Sequence, residues 1–213
     1  MLRLYLVRHA QTDCSVANVF CGQCDAGLTA RGHAMSQALA KALGGVNFTA
    51  VYASPLLRAQ QSAAPLAEQK NLPVIALPGM RELHYGRWEG CTKIQLEQKE
   101  GDAFGRWLAN PAANAPPGGE TGWDVAARAA AALVELQASQ PQGNVLVVSH
   151  KATLRILLCR LLGIDLRYFR VRLAQPLGAL NIVDLASTGP LLHCLADVSY
   201  LPEHLREPWA VSS

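Results

Sequence analysis

Leu4-Tyr5-Leu6-Val7-Arg8-His9-Ala10-Gln11-Thr12 is an apolar run of strand type that stops abruptly at a guanidinium and an imidazole. Short polar residues follow, and then Gly22. The pattern predicts a buried strand with Arg8 and His9 at its carboxyl end, and in open α/β sheets that edge is where ligands bind. One Arg-His pair after a strand carries little weight. The same arrangement recurs three times further along the chain.

Thr29 caps a predicted helix over 30–43, which stops at Gly44-Gly45. A strand over 48–53, with Val51 and Ala53 on one face, runs into Ser54-Pro55, an expected N-cap and first helical residue. Arg58 then falls in the opening turn of that helix, and Pro65 is expected to kink it or end its first half. A short strand over 73–77 leads to a loop carrying Glu82. Residues 92–108 read as helical with breaks at Gly101 and Gly105, and the Pro-, Ala- and Gly-rich stretch 110–119 reads as a mobile surface loop. Trp123, Ala126, Ala127, Ala130 and Val134 follow a helical period. Val145 to Val148 is an apolar run typical of a strand buried on both faces, and it ends at Ser149-His150. The next helix stripes Leu154, Leu157, Leu158, Leu161 and Leu162 and stops at Gly163. Strands near 179–185 and 191–195 complete the sheet, and the tail beyond Pro202 carries no pattern.

The chain is 213 residues long, 50% apolar and 16% charged, which fits one globular domain with a sizeable core. Its net charge of +3 comes without a basic run, so nucleic acid is not an expected partner, whereas a small anionic substrate is. No stretch approaches the roughly 20 apolar residues of a membrane span. Met1 leads straight into the first strand, from which a cytoplasmic protein without a signal peptide is expected. Among the six cysteines, Cys21-Gly22-Gln23-Cys24 has zinc or redox spacing. A structural zinc needs four ligands, and no second pair follows, so no metal is expected and the pair reads as reduced thiols in a polar loop.

Arg8-His9, Arg58, Glu82 and His150 thus each lie just past the carboxyl end of a predicted strand. In an α/β, three-layer fold with a mostly parallel central sheet and helices on both faces, these ends share one edge. Walker, G-x-G-x-x-G, G-x-S-x-G and H-E-x-x-H motifs are all missing from the chain. Two guanidiniums offer planar forks for phosphate oxygens. His150, at a helix N-terminus, adds a donor where backbone amides favour an anion. A neutral imidazole can act as nucleophile, and a carboxylic acid can protonate a departing oxygen and then activate water. Spacing leaves open which histidine is the nucleophile. Such a set suits phosphate monoester hydrolysis, where preorganised positive charge is expected to contribute most of the catalysis, and it needs no metal or other cofactor.

Leu6-Val7-Arg8-His9-Ala10-Gln11-Thr12 resembles the R-H-G signature of the histidine phosphatase superfamily, which includes the cofactor-dependent phosphoglycerate mutases. The resemblance continues through Leu28-Thr29-Ala30-Arg31-Gly32, Ser54-Pro55-Leu56-Leu57-Arg58-Ala59, Arg81-Glu82-Leu83-His84-Tyr85-Gly86-Arg87-Trp88-Glu89-Gly90, Pro117-Gly118-Gly119-Glu120 and Val147-Val148-Ser149-His150. It implies a phosphoglycerate mutase-like fold over 1–213 with a small lid-like insertion at about 85–122. It also implies that His9 becomes the phosphohistidine, that Arg8, Arg58 and His150 hold the phosphoryl oxygens, and that Glu82 is the proton donor. Ser15, Gly22, Tyr85 and Lys151 are further candidate substrate-binding residues. Three positions depart from the family pattern: Ala10 stands for glycine, Ser15 for a phosphate-touching asparagine, and Lys151 for a frequent glycine. Lys151 is expected to reach a substrate anion beyond the phosphoryl group, the alternative being a solvated charge.

The resemblance covers phosphatases and mutases. A mutase pocket needs extra cations around a bisphosphate, and the glycolytic enzymes carry a longer insertion with an adjacent arginine pair. Here 92–122 is short, holds only Arg106 as arginine and includes the loose 110–119 loop, which favours a phosphatase acting on a small phosphorylated metabolite. A mutase is the second reading. An inert binding protein, which would be expected to lack at least one of the five residues, is the third. A homodimer is compatible with the chain.

Overall fold

The computed structural model describes residues 1–207, and 208–213 of the expected domain lie outside the described residues. A six-stranded sheet runs in the order β3-β2-β4-β1-β5-β6. The strands are β1 (Leu2–Arg8), β2 (Phe48–Ala53), β3 (Val74–Ala76), β4 (Gly143–Ser149), β5 (Leu180–Ala186) and β6 (Gly189–Asp197). The first four are parallel; β5 is antiparallel to β1, and β6 to β5. The helices are α1 (Asp13–Val16), α2 (Ala30–Ala42), α3 (Leu57–Lys70), α4 (Lys93–Lys99), α5 (Gly101–Ala109), α6 (Gly122–Ser139), α7 (Lys151–Leu162) and α8 (Phe169–Arg172).

The period of two in the central strands divides the core. Leu2, Leu4 and Leu6 of β1, with Val145 and Val147 of β4, pack against α6 and α7. Tyr5 and Val7, with Leu146 and Val148, face the other way and join Leu39 and Ala40 of α2 and Ala59, Ala63 and Leu66 of α3. Helices therefore cover both faces, as the continuous apolar runs require. A separate aromatic cluster of Trp88, Leu96, Phe104 and Trp107, with Phe20 and Tyr85 against it, lies in the segment between β3 and α6.

Several local expectations are corrected. Helix α3 begins at Leu57, not after Ser54, because the Ser54 hydroxyl accepts from Leu56 N in a turn that precedes it. It then runs through Pro65 without ending. In 92–109 only the Glu100/Gly101 step breaks the helix; Gly105 stays inside α5. The stripe assigned to α6 has the right period and the wrong phase. Val125, Ala126, Ala129, Ala132, Leu133 and Leu136 are buried, while Trp123 and Val134 are 52% and 65% exposed. Alanines on several sides of this helix leave the phase undetermined, and the two large residues misdirect it. The stretch 110–119 is a pinned strap. Pro111, Ala112 and Pro116 are buried, Arg87 N donates to Pro117 O at 3.0 Å, and Glu120 N donates to His84 O at 2.9 Å.

Candidate active site

Parallel pairing of β1 with β4 and of β4 with β2 sets Arg8 beside Ser149, and Ala53 beside Val148. The three loops leaving these strands are therefore neighbours, which brings Arg8-His9, Arg58 and His150 together. The chain leaving β3 turns through 78–80 and brings Glu82 against the start of α7.

His9 is 6% exposed, and its Nδ1 lies 2.7 Å from Ala10 O. A carbonyl only accepts, so Nδ1 carries the proton and Nε2 keeps its lone pair. Burial, then Arg8 and Arg58, holds the ring well below the ordinary 6.5, so it is neutral at pH 7. His150 has the opposite tautomer. Arg58 Nε donates to its Nδ1 at 3.2 Å, which leaves the proton on Nε2, a buried donor with no partner among the described residues. Burial, then Arg58 and His9, keeps this ring neutral as well. The two ring centroids are 5.2 Å apart.

Both guanidiniums are held by backbone oxygens. Arg58, fully buried, donates from Nη1 to Cys24 O at 2.7 Å and from Nη2 to Gly22 O at 2.6 Å. Gly22 adopts φ +55°, and a Cβ there would overlap the Glu89 carboxylate, which explains the glycine. Glu89 also accepts from Gln23 N at 3.0 Å and Tyr85 N at 3.1 Å, so it ties the 22–24 loop to the Glu82 segment. The Cys21/Cys24 pair thus lies in a loop whose carbonyls anchor Arg58. All six cysteines are free thiols, and among the described residues no group of three His, Cys, Asp or Glu could hold a metal ion. Arg8 donates from Nη1 to Gln175 O at 2.7 Å, and its buried Nε has no partner among the described residues. Gln175 is fixed in turn by a reciprocal amide pair with buried Asn181, whose Nδ2 also donates to Leu6 O.

Glu82 is buried. Its Oε1 accepts from Leu83 N and Thr153 N, and its Oε2 from Ala152 N at 3.2 Å, while the Thr153 hydroxyl donates to Arg81 O at 2.7 Å. Two amides of the α7 N-terminus therefore bind this carboxylate, rather than the substrate anion they are expected to face from the sequence. Arg128 braces the same segment through Gly79 O, Arg81 O and Glu82 O, and pairs with Glu120 at 2.8 Å.

The remaining candidates divide. The Ser15 hydroxyl is spent in the capping box of α1, accepting from Thr12 N and donating to Thr12 O, so it faces its own turn. Tyr85 packs edge-on against Phe20 at 4.9 Å and Trp107 at 6.0 Å, while burial and then Glu82 push its phenol up. Lys151, the first residue of α7, is exposed. Ala10 is not left-handed, and its N–H donates to the Ser62 hydroxyl at 3.0 Å, so no glycine is needed there. Gln175, Asn181, Glu89, Glu120, Arg128 and Ser62 are not legible in the sequence as site residues; of these, only Glu89 and Glu120 fall within stretches that carry the resemblance.

The structure superposes on the alpha-ribazole phosphatase of Shigella flexneri with a TM-score of 0.84 at 29% identity, covering 92% of this chain and 96% of that one. In sequence, the chain is 34% identical over 169 residues to phosphoserine phosphatase 1 of Hydrogenobacter thermophilus, covering 79% of this chain and 80% of the relative. It is 32% identical over 173 residues to the adenosylcobalamin/alpha-ribazole phosphatase of Escherichia coli, covering 80% and 85%. The family model of the histidine phosphatase superfamily (branch 1) matches residues 4–198, nearly the whole described chain. With a mostly parallel sheet carrying an Arg-His pair at its central edge, this chain belongs to the histidine phosphatase superfamily, branch 1.

Proposed function

We propose that this chain is a metal-independent phosphomonoesterase that hydrolyses a small phosphorylated metabolite through a phosphohistidine on His9. The observation that carries this reading is the pair of opposite tautomers: His9 offers a lone pair at Nε2, and His150 offers an unspent N–H at its own Nε2. Arg58 retains two unspent N–H bonds and Arg8 four, enough with His150 to serve three phosphoryl oxygens. This positive charge is present before substrate arrives, so it acts on the transition state without reorganisation.

In the first step His9 Nε2 attacks phosphorus, the P–O ester bond breaks, and the protonated Glu82 carboxyl delivers its proton to the departing oxygen. In the second, the Glu82 carboxylate takes a proton from water, the resulting hydroxide attacks phosphorus, and the P–N bond breaks to release inorganic phosphate and neutral His9. We assign the whole chain to one domain, with 85–122 as a lid-like insertion built on its own aromatic cluster. Relatives named as phosphoserine, alpha-ribazole and glucosyl-3-phosphoglycerate phosphatases act on different leaving groups, which points to the residues around the phosphoryl pocket as the selectors.

The test is phosphate release from a panel of metabolite monoesters by EDTA-treated protein, with His9→Ala alongside and acid-labile phosphoprotein trapped on the wild type. Turnover and trapping that both vanish in His9→Ala support the reading. Robust isomerisation of phosphoglycerates that needs a bisphosphoglycerate primer replaces it with a mutase, and absence of any phosphohistidine replaces it with a binder.

A further inference from the structure

Outside the phosphoryl pocket, three cations without a carboxylate partner stand beside it. Lys151 and Arg155 are one turn apart on α7, about 6 Å along its axis, immediately after His150. Neither makes a hydrogen bond or ion pair among the described residues, and the buried Arg155 Nε has no acceptor. Arg170 of α8 lies with its guanidinium 4.2 Å from the centre of the Trp107 ring, and Trp107 packs on Tyr85. Arg155 is within electrostatic reach of Arg8, Glu82, Arg170 and Tyr85, and the Ala152 and Thr153 amides that follow Lys151 bind Glu82, so the cations gather beside the catalytic residues.

We propose that Lys151, Arg155 and Arg170 form a subsite for a second anionic group on the leaving side of the substrate, so that the preferred substrates are phosphomonoesters that also carry a carboxylate or a second phosphate. This rests on the phosphomonoesterase reading above. The phosphoryl oxygens are already served by Arg8, Arg58 and His150, whereas the leaving oxygen must face Glu82. Lys151 and Arg155 both lie within electrostatic reach of that carboxyl group. Around Arg155, Arg8 and Arg170 outnumber the one carboxylate, Glu82, and this surplus of like charge raises the energy of the empty site. Desolvation and then Arg8 push the half-buried Arg155 guanidinium down to about 10, a cost that an incoming anion reduces. Glu207, 4.0 Å from Arg8, accepts from Leu177 N and also lies within electrostatic reach of Lys151. Arg106, the lone arginine of the 92–122 segment, lies on α5, whereas these three cations come from α7 and α8.

The matched series is propyl phosphate, the phosphate ester of 3-hydroxypropanoate, and propane-1,3-diyl bisphosphate, hydrolysed at low salt by wild type, Lys151→Gln and Arg155→Gln. The expected result is kcat/KM at least tenfold higher on one or both doubly anionic esters than on propyl phosphate, with the better of the two showing whether carboxylate or phosphate is the preferred anion. Each variant should lose at least fivefold more on the better ester than on propyl phosphate, and added salt should shrink the wild-type preference. Equal handling of the three esters, or equal losses on all of them, overturns the subsite. If no ester is turned over, the phosphatase reading fails by itself. Calorimetric binding of the same three compounds then decides the subsite, which is overturned if propyl phosphate binds as tightly as the other two.

Discussion

Acidification probes the neutral histidine pair directly. His9 and His150 are buried and held well below 6.5 in the folded protein, whereas in the unfolded chain each titrates near the ordinary 6.5. A base with a depressed folded pKa takes up its proton first in the unfolded chain, so stability falls as pH drops through about 6.5 and keeps falling until the folded pKa is reached. For each ring the unfolded chain gains about 0.1 kcal/mol at pH ~7.5 and about 1.4 kcal/mol at pH ~5.5, a difference of about 2.7 kcal/mol for the pair. Urea unfolding of wild type, His9→Gln, His150→Gln and the double variant at those two pH values measures it. Each single variant should flatten the pH dependence by about 1.4 kcal/mol and the double variant by about 2.7 kcal/mol. The other histidines and the carboxylates are common to all four proteins and cancel. A double variant with the wild-type slope would mean that these rings already carry protons in the folded state at pH ~5.5. That would refute the inference that His9 presents a free lone pair.

Three further predictions address how the charged groups are held. Gly22→Ala forces a left-handed alanine into the Glu89 carboxylate; the expected loss is roughly 2–5 kcal/mol in chemical denaturation, with kcat down at least tenfold. Unaltered kcat would show that Arg58 does not depend on this loop. Asn181→Ala strips partners from Gln175, Leu6 O and Ala196 N, all in the buried brace behind Arg8; a loss of roughly 2–5 kcal/mol is expected, together with weaker inorganic phosphate binding in a competition assay. Retained phosphate affinity would mean that Arg8 is positioned without the brace. Glu82→Gln removes the proton donor, so alkyl phosphates should slow by about 10²–10⁴. With p-nitrophenyl phosphate, whose leaving group needs no proton, the variant should instead give a burst of one p-nitrophenolate per enzyme and then slow turnover. Equal losses on both esters with no burst would remove Glu82 from the chemistry.

The parts of this architecture legible in the sequence are those written locally. Alternation in β1 and β4 separates two core faces within a few residues, and each strand terminates at its own chemical group, so Arg8, His9, Arg58, Glu82 and His150 can be placed at one edge before any pairing is known. Residues that act through closure of the chain are not legible. Asn181 supports the Arg8 strand through Leu6 O across 175 positions, and nothing in Ala-Leu-Asn-Ile distinguishes it from a surface amide. Arg128 is likewise one arginine on an alanine-rich helix until its donors meet the carbonyls of 79–82. The strap 110–119 reads as a loose loop because proline, alanine and glycine lack side-chain signals of burial, yet its backbone supplies the bonds that close it onto 84–87. That correction matters for function: looseness of this segment no longer favours a phosphatase over a mutase, and the weight shifts to where the surplus cations lie.

The manner in which the two guanidiniums are fixed separates binding from proton transfer. Had Arg8 and Arg58 been held by carboxylates at close range, their charge would be partly neutralised in the resting site, and a substrate phosphate would have to compete for it. Arg58 is held by two carbonyls and a neutral imidazole, and Arg8 by one carbonyl with Glu207 as far as 4.0 Å away. Carbonyl oxygens do not titrate, and the His150 imidazole, held well below 6.5, stays uncharged at neutral pH, so the positions of both forks stay constant there. The positive field on the phosphoryl group is thus set by groups that cannot lose a proton at working pH, and in the mechanism proposed above proton transfer is left to Glu82 alone. One consequence can be measured. Inorganic phosphate affinity, corrected for the ionisation of phosphate itself, should vary little between pH ~6.5 and pH ~8. A phosphate affinity that collapsed within that window would place a titrating residue in the anion cradle, and the separation of roles drawn from these hydrogen bonds would fail.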